Sequence, residues 1–169
     1  MNVRGVAPLP RVRSILFVCL GNICRSPLAQ GVLEHHAQTR AVRGKLTIES
    51  CGTGGWHVGS PPDPRTVRVA AAHGVTLRSL ARQLDPDRDF SRFDLILAMD
   101  RANLRDVLRA GCPAERASLF LSHAPATVGT PHNFEVPDPY YGEHDGFETV
   151  FRLVDAGATA LLDGMFPRN

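Results

Sequence analysis

The residues Cys19 to Ser26 read C-L-G-N-I-C-R-S, placing a thiol and a guanidinium in one short segment with five residues between them. A thiolate is a strong nucleophile, although a free thiol with pKa ~8.5 is mostly protonated at neutral pH. A guanidinium is permanently charged, and its planar fork matches two oxygens of a phosphoryl group. Gly21 lets the backbone approach a ligand closely, Asn22 can tether the loop, Ser26 can donate to the sulfur, and Pro27 suits the first turn of a helix. Leu20, Ile23 and Cys24 complete the segment as candidate binding residues. Together these types suit the attack of Cys19 on a phosphoryl group held by Arg25 and the loop amides.

The flanking sequence says how such a loop is held. Ile15-Leu16-Phe17-Val18 is an apolar run that reads as a buried strand. Leu28, Val32, Leu33, His36 and Ala37 then give a one-sided helical pattern beginning near Pro27. Strand, loop and helix start in that order put amide N–H groups and a positive dipole end behind the loop, which favours an anion there. A second strand is expected at Leu46 to Ser50, a helix at Asp63 to His73 stopped by Gly74, and a third strand at Phe93 to Met99. A helix follows at Arg101 to Arg109, closed by Gly111, then a fourth strand at Leu119 to Leu121. Residues 122–145 form a long connection rich in Pro and Gly, too long to be idle in a small domain. Phe147, Val150, Phe151, Val154, Ala158, Leu161 and Leu162 make a closing amphipathic helix.

Alternating strands and helices predict an α/β fold: a single-domain three-layer sandwich, with a short four-stranded parallel sheet covered by helices on both faces. The phosphate-binding loop follows the first strand. Ligands bind beyond the carboxyl ends of strands in such sheets, where Cys19 falls. Residues 1–13 are expected to be a flexible N-terminal extension and residues 14–166 the catalytic domain. A chain of 169 residues with 43% hydrophobic and 21% charged content is an ordinary soluble domain, and a formal charge of +2 points to neither nucleic acid nor a membrane. No run is long enough to span a bilayer, and the N-terminus lacks the apolar core of a signal peptide, so a cytoplasmic location is expected, with secretion left open. The four cysteines at 19, 24, 51 and 112 have no zinc spacing and are too sparse for a disulfide scaffold. The seven histidines form no ligand-spaced pair, so neither metal nor other cofactor is expected. Cys24 has two readings: a small buried apolar residue, or a trap for oxidised Cys19.

With these motifs in view, the chain resembles the low-molecular-weight protein tyrosine phosphatases from about Ser14 to Leu162. The matching residues are C-x5-R-S at Cys19, Arg25 and Ser26, G-T-G-G-W-H-V-G at Gly52 to Gly59, and A-R-Q at Ala81 to Gln83. M-D-x-x-N-L-R-D at Met99 to Asp106, D-P-Y-Y-G at Asp138 to Gly142, and Phe147-Glu148 complete the series. The resemblance implies hydrolysis of phosphotyrosine and small aryl phosphates through a phosphocysteine. Cys19 would be the nucleophile, Arg25 the clamp, and Asp138 the acid that protonates the departing phenol. It implies aromatic walls at Trp56, Tyr140 and Tyr141, and a hydrogen bond between Ser50 and Asn22. Phosphotyrosine proteins are the expected partners, with a tyrosine kinase a candidate among them, and the expected state is a monomer or weak dimer.

One position departs from the pattern. Ser79 stands where many relatives have a histidine that braces the loop asparagine, so the network around Asn22 is expected to be rewired. Asp100 either braces Arg25 or caps a helix. Three other readings compete with this one. An arsenate reductase of the same fold needs further relay thiols at the third strand, and the strand ends in Met99-Asp100. A phosphoarginine phosphatase of this fold carries threonine at the position of Ile23. A non-catalytic anion-binding module would need neither the thiol of Cys19 nor Asp138.

Overall fold

The computed structural model describes residues 7–140 and 145–168. Four strands, β1 (Ser14–Cys19), β2 (Thr47–Gly52), β3 (Leu95–Ala98) and β4 (Ala117–Leu119), form one sheet. Its order is β2-β1-β3-β4, every pair parallel. The chain therefore reverses direction of travel across the sheet at β1, and the carboxyl end of β1 lies at the switch point that such sheets use for ligands. The described α-helices are α1 (Arg25–Thr39), α2 (Pro64–Ala72), α3 (Pro86–Arg92), α4 (Arg101–Arg109), α5 (Ala126–Gly129) and α6 (Asp145–Met165), with short 3₁₀ turns between some of the elements.

The pleat of β1 divides the core in two. Ile15, Phe17 and Cys19 join the cluster under α1, α2 and α6, whereas Leu16 and Val18 join the one built from Phe93, Ile96 and Val107 under α3 and α4. All four apolar residues from Ile15 to Val18 are fully buried, as a central strand covered on both faces requires. Phe17 meets Phe120 edge to face at 5.1 Å, and an added Cβ at Gly157 of α6 would stand 2.6 Å from the Phe120 ring. The large α6 face and the small Gly157 are thus matched to one ring.

Several expected boundaries move. β2 continues to Gly52 because Cys51 and Gly52 pair with Val18 and Cys19. The fourth strand ends at Leu119, and Phe120–His123 is a 3₁₀ turn. Its apolar residues pack downward against α6, and an apolar run alone does not tell a strand from a buried turn. Helix α3 lay unread in L-D-P-D-R-D-F, although Asp85 caps it and Pro86 occupies its first turn, a standard start. The stretch 7–13, expected to be loose, is docked: Leu9 N–H donates to the Gly164 carbonyl at 2.8 Å, and Arg13 N–H to Asp94 at 2.8 Å. Among the described residues no helix is long and apolar enough to cross a membrane.

Buried thiols couple this core to pH. Burial pushes Cys51 far above the ordinary thiol range, and Cys24 rises from 9.0 to about 12 for the same reason, only partly offset by the hydroxyl of Thr66. Unfolded thiols ionise near ~8.5, so above that pH the folded chain holds more protons than the unfolded one and stability falls with rising pH. Urea denaturation should show this loss from about pH 9 upward. Cys51→Ala, which removes one such group, should give a visibly shallower alkaline slope than wild type; equal slopes would mean that Cys51 ionises as easily folded as unfolded.

Candidate active site

Helix α1 begins at Arg25 with no side-chain cap and no acidic residue in its first turn. The neighbouring α2, α3 and α4 are each capped by a carboxylate, from Asp63, Asp85 and Asp100. The unsatisfied N–H groups of α1 are therefore left for whatever occupies the loop before it. The loop's carbonyls are held from outside: Cys19 and Leu20 accept from the N–H groups of Thr53 and Gly54, and Ile23 accepts from Asp63 N–H. Gly52 makes this possible, since an added Cβ would fall 2.7 Å from the Leu20 carbonyl oxygen.

Asn22 fixes the turn itself. It sits in the left-handed region at φ 55°, which asparagine tolerates better than most residues, and is 2% exposed. Its Nδ2 donates to Ser26 Oγ at 2.8 Å and to Ser50 Oγ at 3.0 Å, while Oδ1 accepts from Arg82 N–H at 2.9 Å. Its own N–H points at Cys19 Sγ from 3.3 Å. Ser50 in turn donates to Gln30 Oε1 at 2.7 Å. Ser26 Oγ lies 2.9 Å from the Cys19 sulfur.

Ser79 stands outside this network. Its hydroxyl is not among the partners of Asn22; the third contact is the backbone of Arg82. That backbone is held by the Arg82 side chain, which reaches Asp89 at 2.9 and 3.1 Å and Glu49 at 3.0 Å. Asp89 is fully buried and also accepts from Asp85 N–H. A backbone donor makes this contact without a side chain from position 79.

Arg25 is 3% exposed and crosses under the loop. One terminal nitrogen donates to Asp100 Oδ2 at 2.6 Å and to the Val136 carbonyl at 3.1 Å; the other lies 3.4 Å from Asp138 Oδ2. Its charged form is favoured against burial by the sulfur of Cys19 and by Asp100. Both readings of Asp100 hold at once, since its Oδ1 caps α4 by accepting from Asn103 N–H at 2.8 Å. Val136 N–H donates to the Met99 carbonyl, which pins the Asp138 segment to the end of β3. Asp138 Oδ1 accepts from Tyr140 N–H at 3.0 Å, an Asx turn that leaves Oδ2 toward Arg25. The guanidinium of Arg65, paired with Asp63, lies 5.4 Å from the Tyr140 ring and 4.8 Å from that of Phe147.

A cavity of about 360 Å³ results, lined by Cys19, Leu20, Gly21, Ile23, Cys24, Arg25, Trp56, His57, Asp138 and Tyr140. Asn22, Ser26 and Ser50 stand behind the wall as braces rather than in it, as does Asp100. Tyr141 lies outside the described residues. His57 is the lining residue that the sequence reading passed over; its ring rests on Gly21, where an added Cβ would stand 3.0 Å from Cδ2. Its place beside Trp56 in a glycine-flanked loop was the available signal. Among the described residues no group of three or more His, Cys, Asp or Glu side chains could hold a metal ion.

The brace predicts its own failure mode. Arg82→Ala would leave the buried Asp89 carboxyl without its guanidinium partner, a change that costs about 3–5 kcal/mol in comparable sites. Chemical denaturation should register a loss of that order, together with reduced activity as Asn22 loosens. Ser79→Ala should alter neither stability nor rate by more than about 0.5 kcal/mol, and a large effect of Ser79→Ala would restore it to the network.

Comparison with known proteins places the whole fold in one family. The family model described as low molecular weight phosphotyrosine protein phosphatase matches residues 14–166. A low molecular weight phosphotyrosine protein phosphatase of Schizosaccharomyces pombe is 46% identical over 143 residues, 83% of this chain and 90% of that protein. The crystal structure of a protein tyrosine phosphatase from Entamoeba histolytica aligns with TM-score 0.81 at 34% identity, covering 89% of this chain and 94% of that one. A Drosophila arginine phosphatase structure aligns with TM-score 0.80 at 27% identity, over 92% of this chain and 99% of its own. The chain belongs to the low-molecular-weight phosphotyrosine protein phosphatase family.

Proposed function

We propose that this protein hydrolyses phosphotyrosine in proteins, and small aryl phosphates, through a phosphocysteine intermediate. The observation that carries the reading is the convergence of Cys19, Arg25 and Asp138 on one cavity, with Arg25 and Asp138 3.4 Å apart although 113 residues separate them in sequence. With the sulfur as thiolate, Ser26 O–H and Asn22 N–H both donate to it. The sulfur attacks phosphorus, an S–P bond forms, and the P–O bond to the phenol breaks. Arg25 and the open N–H groups of α1 hold the non-bridging oxygens as charge moves onto them. Asp138, protonated, gives its proton to the departing phenolate oxygen, which needs it because phenol has pKa ~10. Water then attacks phosphorus, Asp138 takes its proton, the S–P bond breaks, and inorganic phosphate leaves with the thiolate restored.

Three further features belong to the same reading. The cavity's apolar walls, Leu20, Ile23, Trp56 and Tyr140, suit a phenyl ring. Ile23, where a phosphoarginine enzyme of this fold carries threonine, favours an aryl substrate. Cys112, the only thiol after β3, is packed in the core under α4, and burial raises its pKa, which supports no arsenate relay. The protein acts in the cytoplasm on phosphotyrosine proteins. It is also redox-sensitive: peroxide converts Cys19 to sulfenic acid, and condensation with the Cys24 thiol releases water and forms a disulfide that thiols reduce. Burial pushes the Cys24 thiol up to about 12, so it does not compete with Cys19 for phosphorus and reacts only once the Cys19 sulfur has itself become the electrophile.

Hydrolysis of para-nitrophenyl phosphate and of phosphotyrosine, phosphoserine and phosphoarginine peptides tests substrate class; preference for phosphoarginine would replace this reading with the arginine one. Cys19→Ser should lose turnover yet keep binding of a phosphate analogue, and Arg25→Lys should be severely impaired. Asp138→Asn should make the rate depend steeply on leaving-group pKa where wild type is flat, and equal slopes would remove Asp138 from the acid role. After peroxide, wild type should recover with dithiothreitol more fully than Cys24→Ser; equal recovery would deny Cys24 its protective part.

A further inference from the structure

Beside the catalytic cavity lies a second one of about 450 Å³ that shares two of its walls, Leu20 and Trp56. The indole of Trp56 stands between them, 73% exposed. It is seated on the backbone of Gly54, where an added Cβ would fall 1.8 Å from ring atom Cζ3. The floor is equally fixed, because Gln83 Nε2 donates to the Thr53 carbonyl at 3.1 Å. Leu84 and Pro86 add apolar surface, and Asp106 of α4 adds a carboxylate. The carboxylates around the catalytic loop are occupied: Asp100 and Asp138 face Arg25, Asp89 holds Arg82, and Glu49 meets Arg82, Arg88 and Arg92. Asp106 has no ion pair or side-chain hydrogen bond among the described residues, and its helix neighbours Arg105 and Arg109 do not line the groove.

An aromatic face and an unpaired carboxylate on apolar walls form a receptor for one kind of group, a cation on a methylene stem. The indole attracts the charge and covers the stem, and the carboxylate pairs with the head. We propose that this groove takes a basic side chain of the substrate protein close in sequence to the phosphotyrosine, arginine more strongly than lysine. The occupant is a residue of the substrate rather than a separate ligand because the groove runs on from the catalytic cavity across Trp56. Residues one or two away from a bound phosphotyrosine lie only a few ångströms along the chain, at about 3.3–3.6 Å per residue. Arginine outranks lysine because its planar guanidinium can stack on the indole while keeping donors for Asp106. The proposal rests on the phosphotyrosine reading above.

Phosphotyrosine peptides carrying arginine, lysine, norleucine or glutamate at each flanking position in turn would test it by kcat/KM. Wild type should rank them in that order at one position or more, with arginine about fivefold above norleucine. Asp106→Asn should abolish the advantage of arginine and leave para-nitrophenyl phosphate hydrolysis within about twofold of wild type. Ala110→Trp, at an exposed residue on the groove's rim, should also abolish it by filling the space while the carboxylate stays. Turnover of the peptides without any ranking would overturn the groove's role and leave the phosphatase reading standing. Retention of the arginine advantage in Asp106→Asn would overturn it too, and so would retention in Ala110→Trp, which would show a charge acting through space. Failure of every phosphotyrosine peptide beside good turnover of another phosphoester would instead overturn the phosphotyrosine reading, and this proposal with it.

Discussion

A buried carboxamide holds this site together. Asn22 is the one residue of the catalytic loop held by β2, by α1 and by the segment after α2 at the same time, through Ser50, Ser26 and the backbone of Arg82. Each bond satisfies a polar atom that would otherwise be buried unpaired, so the arrangement is costly to disturb at any one point. Its left-handed backbone sends the loop's N–H groups inward, as its own N–H toward Cys19 illustrates. Outward carbonyls would be orphaned by that choice, and the strip from Gly52 to Gly54 exists to receive them. The loop is therefore built in its reactive shape before any substrate arrives, which is what electrostatic stabilisation of a phosphoryl group requires.

Charge is arranged with the same economy. Arg25 is almost wholly buried, and a buried cation needs partners. Asp100 and the Val136 carbonyl supply them from the ends of β3 and of the loop leading to Asp138. These contacts hold the guanidinium in position and also attach the acid-bearing segment to the sheet. Asp100 serves α4 with its other oxygen, so the helix that closes the opposite layer begins at the catalytic cation. In consequence Asp138, far along the chain from the loop that carries Cys19 and Arg25, shares one hydrogen-bonded framework with them.

The parts of this framework that were legible in the sequence are those with local causes. The β1 run, the C-x5-R-S loop, the helix at Arg101 to Arg109 and its cap at Asp100 follow from apolar continuity, residue type and cap chemistry over a few neighbours. The α/β order and the parallel sheet followed from the alternation of such elements. What escaped depends on distance. Phe120 and Leu121 looked like strand because only the packing of α6 shows that they turn. The substitution at Ser79 looked like a disturbance because the donor that matters is a main-chain N–H, which no sequence displays. His57 was passed over because a lone histidine in a loop has no pattern, and only the folded chain lays it on Gly21.

The floor and the rim of the cavity differ in kind. The floor is backbone and buried side chain, while the rim exposes Leu20, Trp56 and Tyr140, large apolar groups gathered at one opening. This rim is not loose for being exposed. Gly59 N–H donates to the Ala81 carbonyl and Ala81 N–H to that of Ser60, which tie the Trp56 loop to the segment that also braces Asn22. On the other side, Arg65 packs against Tyr140 and Phe147 and links the acid loop to α2 and α6. Apolar surface left open but held in place costs little ordering when a ring slides against it, so the hydrophobic gain is available for binding. A fixed floor sets the chemistry, and a fixed apolar rim decides which phosphorylated side chain and neighbouring residues reach it.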